Sequence, residues 1–396
     1  MNICIFTRTT LAHSIGGMEV HTDLLAKGLA QQGHTVTIIT TGNKNGKLSE
    51  TMAGVIVFYL AGTKPGRYSQ KWYRQSVIKF SELQQQQPFD IVCSESAGAF
   101  GLLRSSLYKK TGIPVVVIFH GIFYNELKTR FNLGFSLKTL AAAGYYLLTY
   151  IFRDMRLVTR AKAIIATSQE QNHLIKKFYF LPENKIFTVF NGIDTKVVLA
   201  DTNLKKTLGF NDWDKIILSV ARLKREKGLH VILKALPEIL VDIPDAKLLI
   251  VGDGEYREYL ENLATELGLL GKVVFAGAIP YEELGKYFQL ADVFVNSTIR
   301  ENGYDLTIIQ GMAYGKPVIV SRLKSLAGVI DDGKNGFLVG RGEVKELSRV
   351  VRKVLQDPQI MLETGKAAQR QAQSLFSVES MVHTTIKVFE KCLSGN

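Results

Sequence analysis

Cysteine is scarce in this sequence of 396 residues, and its scarcity argues against two kinds of stabilising framework. Cys4, Cys93 and Cys392 lie far apart and form neither a CxxC pair nor a spacing typical of metal ligands. We therefore expect no disulfide or zinc framework, which suits the reducing cytoplasm. The first residues, MNICIFTRTT, lack the basic region and the apolar core of a secretory signal, so no export is predicted.

Long apolar runs without charge are also lacking. The segment LKTLAAAGYYLLTYIF has 14 uncharged residues between Lys138 and Arg153. A membrane-spanning helix needs about 20 apolar residues, so this segment is too short to span a bilayer. Two alternatives stay open: a buried helix, or a helix that lies at a membrane interface. The basic residues that flank it are Arg130, Arg153, Arg156, Arg160 and Lys162.

Acidic residues are outnumbered, and the formal net charge is +13. Residues 1–200 contain 23 Lys and Arg against 11 Asp and Glu, which leaves 26 of the 49 basic and 25 of the 36 acidic residues for the rest. The basic first half is compatible with nucleic acid, an anionic membrane, an acidic substrate or simply a solvated face. Because no helix-turn-helix, zinc or RNP-like pattern accompanies the charge, no nucleic acid partner is expected.

Alternating strand and helix patterns run through the whole chain and predict an α/β protein. The first series has runs at residues 2–8, 35–40, 89–95, 113–121, 161–168 and 185–194. A polar connector follows, with a domain boundary near Lys196. The second series has runs at residues 215–223, 246–254, 272–279, 291–297, 316–321 and 336–340. These continuous runs indicate two doubly wound parallel sheets, one of them capped by an amphipathic helix at residues 378–393.

Ligands of open α/β sheets bind outside the carboxyl ends of the strands, so residues at these ends are the candidate site. In the first half, Gly16 and Gly17 would let a ligand approach the backbone, or would only form a tight turn with positive φ. His120 and Glu95 end two buried strands and are further candidates.

In the second half, Arg222 and Lys227 lie on either side of a loop that leads from a strand into a helix. Two such cations would form a clamp for a diphosphate, although a solvated charged loop is the alternative. Gly252 lies in a turn that resembles only part of a dinucleotide-binding motif, which is weak evidence. Gly277 also ends a strand, and its backbone there would contact the edge of a nucleotide base.

The stretch RENGYDLTIIQGMAYGKPVIV leads from polar residues directly into an apolar helix. The first amides of such a helix, at Leu306 and Thr307, would bind a phosphate. Asn302 and Gln310 are placed to hold hydroxyl groups. Asp305 either belongs to this site or serves only as the helix N-cap. The predicted nucleotide-sugar site also includes Gly303 and Tyr304.

Several of these motifs together give the sequence a family likeness. It resembles a family 4 glycosyltransferase of the GT-B fold over nearly its whole length. The motifs that carry the resemblance are GGMEVH (16–21), FHG (119–121), VFNGID (189–194), SVARLKREKG (219–228), IVGDG (250–254) and NGYDLTIIQGMAYGKPVI (302–319).

The resemblance implies two Rossmann-like domains that face each other across a deep cleft. Residues 1–195 with the C-terminal helix at 376–396 would form the acceptor-side domain, and residues 196–375 the donor-binding domain. The implied reaction is retaining transfer of a hexose from a nucleotide-sugar, with UDP-glucose as first choice, and it requires no metal or other cofactor. The implied acceptor is lipid-linked or a polysaccharide precursor. The expected location is cytoplasmic and peripheral to the inner face of the plasma membrane.

The resemblance also implies roles for individual residues. His120 would contact the donor sugar near its 6-hydroxyl, and Gly17 would approach the donor phosphate or the acceptor. Arg222 and Lys227 would neutralise the leaving diphosphate. An epimerase or a phosphorylase on the same scaffold is the alternative enzyme, but no signature of a lysine-bound pyridoxal phosphate is visible.

The sequence departs from the family pattern at one point. The family usually has two glutamates with seven residues between them, and Asn302 and Gln310 stand at these positions here. Gln310 would still bond ribose hydroxyls, but without a charge. Glu301 lies one position away and would replace the first glutamate if the loop shifts.

Overall fold

The chain folds into two compact units, which are described separately. Unit 1 consists of Met1–Asp194 and Val378–Asn396, and unit 2 of Thr195–Ser377. The computed structural model describes residues 1–14, 16–121, 124, 137–194, 201, 203–300 and 305–394, and for 137–139 only the backbone. Both units are α/β, as the sequence predicts, and most of their strands are apolar runs buried on both faces; β3 is an exposed edge strand, and β11 is half-buried.

Unit 1 is built on a sheet with the order β3-β4-β2-β1-β5-β6-β7-β8. Its strands are β1 (Asn2–Phe6), β2 (Thr35–Thr41), β3 (Ser49–Met52), β4 (Val55–Leu60), β5 (Ile91–Glu95), β6 (Val115–Phe119), β7 (Ala163–Ala166) and β8 (Ile186–Thr188). Its helices up to residue 194 are α1 (Gly17–Gln31), α2 (Gln70–Gln86), α3 (Phe100–Arg104), α4 (Ser106–Thr111), α5 (Leu137–Thr149), α6 (Met155–Arg160) and α7 (Gln169–Tyr179).

Unit 2 is built on a fully parallel sheet with the order β11-β10-β9-β12-β13-β14. Its strands are β9 (Lys215–Val220), β10 (Ala246–Val251), β11 (Val273–Gly277), β12 (Val293–Asn296), β13 (Val318–Ser321) and β14 (Phe337–Val339). Its helices are α8 (Leu204–Thr207), α9 (Leu229–Asp242), α10 (Arg257–Glu266), α11 (Leu284–Leu290), α12 (Leu306–Ala313), α13 (Val344–Gln356) and α14 (Pro358–Leu375).

The closing helix, α15 (Val378–Leu393), has the predicted bounds and belongs to unit 1. It packs beside α1, where Gly28 allows the two helices to approach closely. A Cβ atom at Gly28 would lie 2.5 Å from Cγ2 of Val382. Met381, Val382 and Phe389 complete the hydrophobic core on this face of the sheet.

Two strands of unit 1 are missing from the sequence prediction. β3 and β4 form an antiparallel hairpin at the edge of the sheet, with Met52 opposite Val55. The two residues between them, Ala53 and Gly54, have φ values of 49° and 81°, as a type I′ turn requires. Alanine is rare at such a position, so the sequence carries no strong hairpin signal here.

The apolar segment at residues 137–152 is helical but not buried, so the first of its two predicted alternatives is wrong. Helix α5 continues into a π-helical turn at Tyr150–Asp154. Between 46% and 61% of the surface of several large apolar residues is exposed, namely Leu140, Tyr145, Leu147, Leu148, Ile151 and Phe152. Among the described residues, no helix has the length and apolarity needed to cross a membrane.

Candidate active site

The strand order of unit 2 determines where a ligand would bind. Because β9 is the first strand of this sheet and lies between β10 and β12, the direction of winding changes between β9 and β12. Ligands of doubly wound sheets bind at such a switch point, outside the carboxyl ends of the strands. The loop from β9 to α9 and the segment from β12 to α12 both begin there.

These two segments are held together by hydrogen bonds to backbone carbonyl oxygens of the first segment. Glu226 O accepts hydrogen bonds from Thr298 Oγ1 and from the Ile299 amide, both at 2.9 Å. Ser297 Oγ donates to Gly228 O at 2.8 Å. Gly228 has a φ of 71°, and a Cβ atom there would lie 1.9 Å from Ser297 O, so only glycine fits. The loop that carries Lys227 is therefore fixed against the segment that carries Arg300.

A charged cluster, formed by Lys227, Arg300, Asp305 and Asn296, lies at this junction. Lys227 Nζ lies 2.5 Å and Arg300 Nη2 3.0 Å from Oδ1 of Asp305. Asn296 Nδ2 donates to Oδ2 of Asp305 at 3.0 Å. Only 13% of the Lys227 side chain and 14% of the Asp305 side chain are exposed, so solvent screens this pair weakly.

The surroundings of the charged cluster decide its protonation. Burial alone would raise the pKa of Asp305, but Arg300 and Lys227 together hold this pKa far below its usual value. Burial lowers the pKa of Lys227, and Asp305 offsets part of that effect. Asp305 is therefore ionised at neutral pH.

Asp305 precedes α12 at the N-cap position, but its side chain accepts no hydrogen bond from the amides of that helix. The prediction that Asp305 serves only as the N-cap is therefore wrong for its side chain. This side chain bonds the other members of the charged cluster instead. The first amides of α12, at Leu306 and Thr307, have no acceptor within the helix. Thr307 Oγ1 is buried and has no partner among the described residues, and Gln310 is 7% exposed.

The remaining predicted residues of unit 2 lie at the same edge of the sheet. Arg222 is exposed in the loop after β9. Gly252 has a φ of 132°, and a Cβ atom there would lie 1.9 Å from Ala221 O, so this turn needs glycine for packing. The Gly252 amide donates to Gly277 O at 2.8 Å. Asn302, Gly303 and Tyr304, like Glu301, lie outside the described residues.

In unit 1 the winding changes between β1 and β5. Gly17 begins α1, and Gly16 precedes it with a φ of −162°. This is extended backbone, so the predicted alternative of a turn with positive φ is wrong for Gly16. The contact between the start of α1 and the ligand stays a prediction.

His120 belongs to a histidine cluster with His21 and Glu95. Glu95 ends β5, His120 follows β6, and His21 lies on α1. His120 Nε2 and Glu95 Oε2 form a short hydrogen bond, while His21 Nε2 lies 3.9 Å from Glu95 Oε1. The centroids of the two imidazole rings are 4.9 Å apart. Glu95 and His21 are buried. Because the buried carboxylate of Glu95 bonds Nε2 of His120, it holds this ring in one orientation.

Burial lowers the pKa of His21 to about 4, so this ring is neutral at pH 7. Burial alone would raise the pKa of Glu95, but His120, His21 and Thr22 together lower it below its usual value, and the carboxyl group is ionised. The donor atoms of the histidine cluster lie within 4.8 Å of one another, so they would have to move closer together to bind one transition-metal ion. A metal ion would first have to replace the hydrogen bond between Glu95 and His120.

The sequence analysis did not assign three residues of these clusters to a site, namely Asn296, Arg300 and His21. Arg300 and His21 lie inside quoted segments, RENGYDL and GGMEVH. Their charge and type were visible, but their partners were not. Lys227 and Asp305 are 78 positions apart in the chain, and Glu95 and His120 are 25 apart.

Comparison with known proteins agrees with this architecture. Residues 15–197 match the family model Glycosyltransferase Family 4, and residues 200–371 match the model Glycosyl transferases group 1. An uncharacterised glycosyltransferase of Methanocaldococcus jannaschii is 26% identical over 98% of both chains. The alpha-monoglucosyldiacylglycerol synthase of Streptococcus pneumoniae is 25% identical over 85% of this chain and 75% of its own. Anabaena HepE, solved with UDP and glucose, has a TM-score of 0.74 at 20% identity and covers 99% of this chain and 100% of its own.

The fold is therefore that of the GT-B glycosyltransferases. The chain belongs to glycosyltransferase family 4, with a group 1 glycosyltransferase match in its second half, and it is a transferase enzyme.

Proposed function

We propose that this enzyme transfers a hexose from a nucleotide-sugar, UDP-glucose first, to a lipid-linked or polysaccharide-precursor acceptor with retention at the anomeric carbon. The observation that carries the proposal is the charged cluster at the switch point of unit 2. It offers two cations, Lys227 and Arg300, to one carboxylate, and it lies beside the first amides of α12, which have no acceptor within the helix. A nucleoside diphosphate is an anion of the kind that such a site binds.

The choice of glucose and of a lipid acceptor has separate support. The structural neighbour HepE was solved with UDP and glucose, and one relative is named an alpha-monoglucosyldiacylglycerol synthase. We extend both features to this chain as part of the proposal. Unit 2 is then the donor-binding domain and unit 1 the acceptor-side domain.

The proposed reaction needs no residue as nucleophile. The leaving diphosphate takes the proton of the acceptor hydroxyl while the glycosidic bond forms on the same face of the sugar. Negative charge develops on the diphosphate, and Arg222, Lys227 and the amides of Leu306 and Thr307 stabilise it. Gln310 bonds the ribose hydroxyls. His120, oriented by Glu95, bonds a hydroxyl of the sugar, and Asn302 stays a proposed sugar contact.

A screen of donors tests the proposal. We expect one of UDP-, GDP- or ADP-glucose to raise the melting temperature, because a ligand at 100 times its Kd adds about 2.7 kcal/mol of apparent stability. With that donor and a glycolipid acceptor, product should form equally with and without EDTA, and the product should keep the anomeric configuration of the donor. If none of these nucleotide-sugars stabilises the protein or is hydrolysed by it, the proposal fails.

We also propose that unit 1 docks on an anionic membrane through the exposed surface of α5 and the turn after it. Leu148 and Phe152 present apolar surface, and the guanidinium of Arg156 lies 6.0 Å from the ring of Phe152. Arg160 and Lys162 are exposed nearby. Apolar side chains beside cations are what an interfacial helix needs to enter the region of anionic head groups.

The replacement of Leu148 and Phe152 by glutamate should weaken binding to vesicles of phosphatidylglycerol and phosphatidylcholine at least about 100-fold, because each of the two lost apolar insertions is worth roughly 1.5–3 kcal/mol. Co-sedimentation at low salt measures this. Leu270→Glu is the matched control, since Leu270 is 81% exposed but belongs to unit 2. Equal sedimentation of wild type and double variant, or no sedimentation of the wild type, would rule out this surface.

A further inference from the structure

The charged cluster has one more positive than negative charge. Lys227 and Arg300 both donate to the same oxygen of Asp305, and Asn296 occupies its other oxygen. The carboxylate is thus held on both sides and cannot turn to serve either cation alone. A cation surplus in a largely buried place is unfavourable unless an anion completes it.

Arg300 has donor capacity left over. Its guanidinium carries five N–H donors. Nη2 bonds Asp305, while Nε is buried and has no partner among the described residues. Only 24% of the side chain is exposed, so water satisfies this nitrogen poorly. A buried donor without a partner is costly and indicates that something else binds there.

The rest of the cluster explains how Arg300 is held. The Arg300 amide donates to Thr298 Oγ1 at 3.4 Å, and Thr298 in turn bonds the loop that carries Lys227. Asp305 lies directly before the first amides of α12, which have no acceptor within the helix. Both cations and the helix terminus therefore belong to one small region of unit 2.

We propose that Arg300 is a diphosphate-binding residue and that Asp305 is the positioning residue that holds Arg300 and Lys227 as a pair. This inference rests on the proposed function and assigns Arg300 and Asp305 their separate roles in it. Arg300 uses its remaining N–H donors on phosphate oxygens of the nucleotide, while Lys227 contributes a point charge. Asp305 keeps the two cations together before the ligand arrives, which reduces the cost of bringing them together.

Isothermal titration with UDP, UMP and uridine tests Arg300. In Arg300→Gln the Kd for UDP should rise about 10- to 100-fold, the effect of one lost hydrogen bond between charged groups. The Kd for UMP should rise less, and the Kd for uridine should not change. Arg322→Gln is the matched control, because Arg322 is 56% exposed and pairs with Asp332. Its affinities should equal those of the wild type.

Arg300→Lys keeps the charge but loses the forked contact, so its Kd for UDP should lie between those of wild type and Arg300→Gln. This variant also carries the test if Arg300→Gln does not fold. Wild-type affinity for UDP in both variants, or an equal loss for uridine, would overturn the inference and leave Arg300 a structural partner of Asp305. Failure of the wild type to bind UDP, GDP or ADP would instead contradict the proposed function itself.

Discussion

Lys227→Ala is expected to lower kcat about 100-fold or more, which is the usual loss when one key electrostatic donor is removed from a developing negative charge. In the proposed reaction this charge appears on the leaving diphosphate. Lys227 is preorganised for it, since its Nζ is held 2.5 Å from Asp305 and its side chain is 13% exposed. The measurement is the initial rate of transfer at saturating donor and acceptor.

Lys224→Ala is the control for this variant. Lys224 lies in the same loop, but it is 44% exposed and its Nζ is 3.9 Å from Glu255. We expect its kcat to stay close to that of the wild type, because an exposed ion pair contributes little. A near-normal kcat in Lys227→Ala would remove the role assigned to this residue. Equal losses in both variants would point to a general effect of charge in the loop.

Gly228→Ala is the second change for which we expect a large effect. The left-handed backbone at Gly228 costs a non-glycine residue roughly 1–2 kcal/mol. The new Cβ would also lie 1.9 Å from Ser297 O, and relief of such overpacking costs about 1–3 kcal/mol more. We therefore expect the free energy of unfolding of unit 2 to fall by about 3 kcal/mol. Urea denaturation followed by circular dichroism measures it.

Gly209→Ala separates the two contributions. Gly209 has a similar φ of 78°, but a Cβ atom there would meet nothing within 4 Å. We expect a loss of only about 1–2 kcal/mol, from the backbone conformation alone. If the free energy of unfolding falls equally in Gly228→Ala and Gly209→Ala, the close contact with Ser297 does not contribute to stability. The loop that carries Lys227 is then not held by this contact.

Much of the fold follows from local sequence. β5, β6 and β12 are continuous apolar runs, and such runs identify buried parallel strands without any knowledge of their partners. The hairpin of β3 and β4 was missed because Ala53 takes a left-handed conformation that alanine rarely adopts. Its stability comes from pairing at the sheet edge, which a local pattern does not record.

The sequence also did not predict that α5 is exposed. An uncharged apolar segment has the same composition whether a neighbouring element covers it or not. The sequence analysis therefore left two alternatives, and only the packing around Leu147 and Phe152 excludes the buried one.

The sequence alone was enough to predict the α/β class, every strand except β3 and β4, the family resemblance and the cation Lys227 in a loop at a strand end. Only the tertiary structure decided that Asp305 bonds Lys227 and Arg300 instead of capping α12, and that Glu95 holds His120. The physical reason is that strand propensity and turn chemistry act over a few residues. Charge partners are chosen by sheet order, which places strand ends side by side although many residues separate them in the chain.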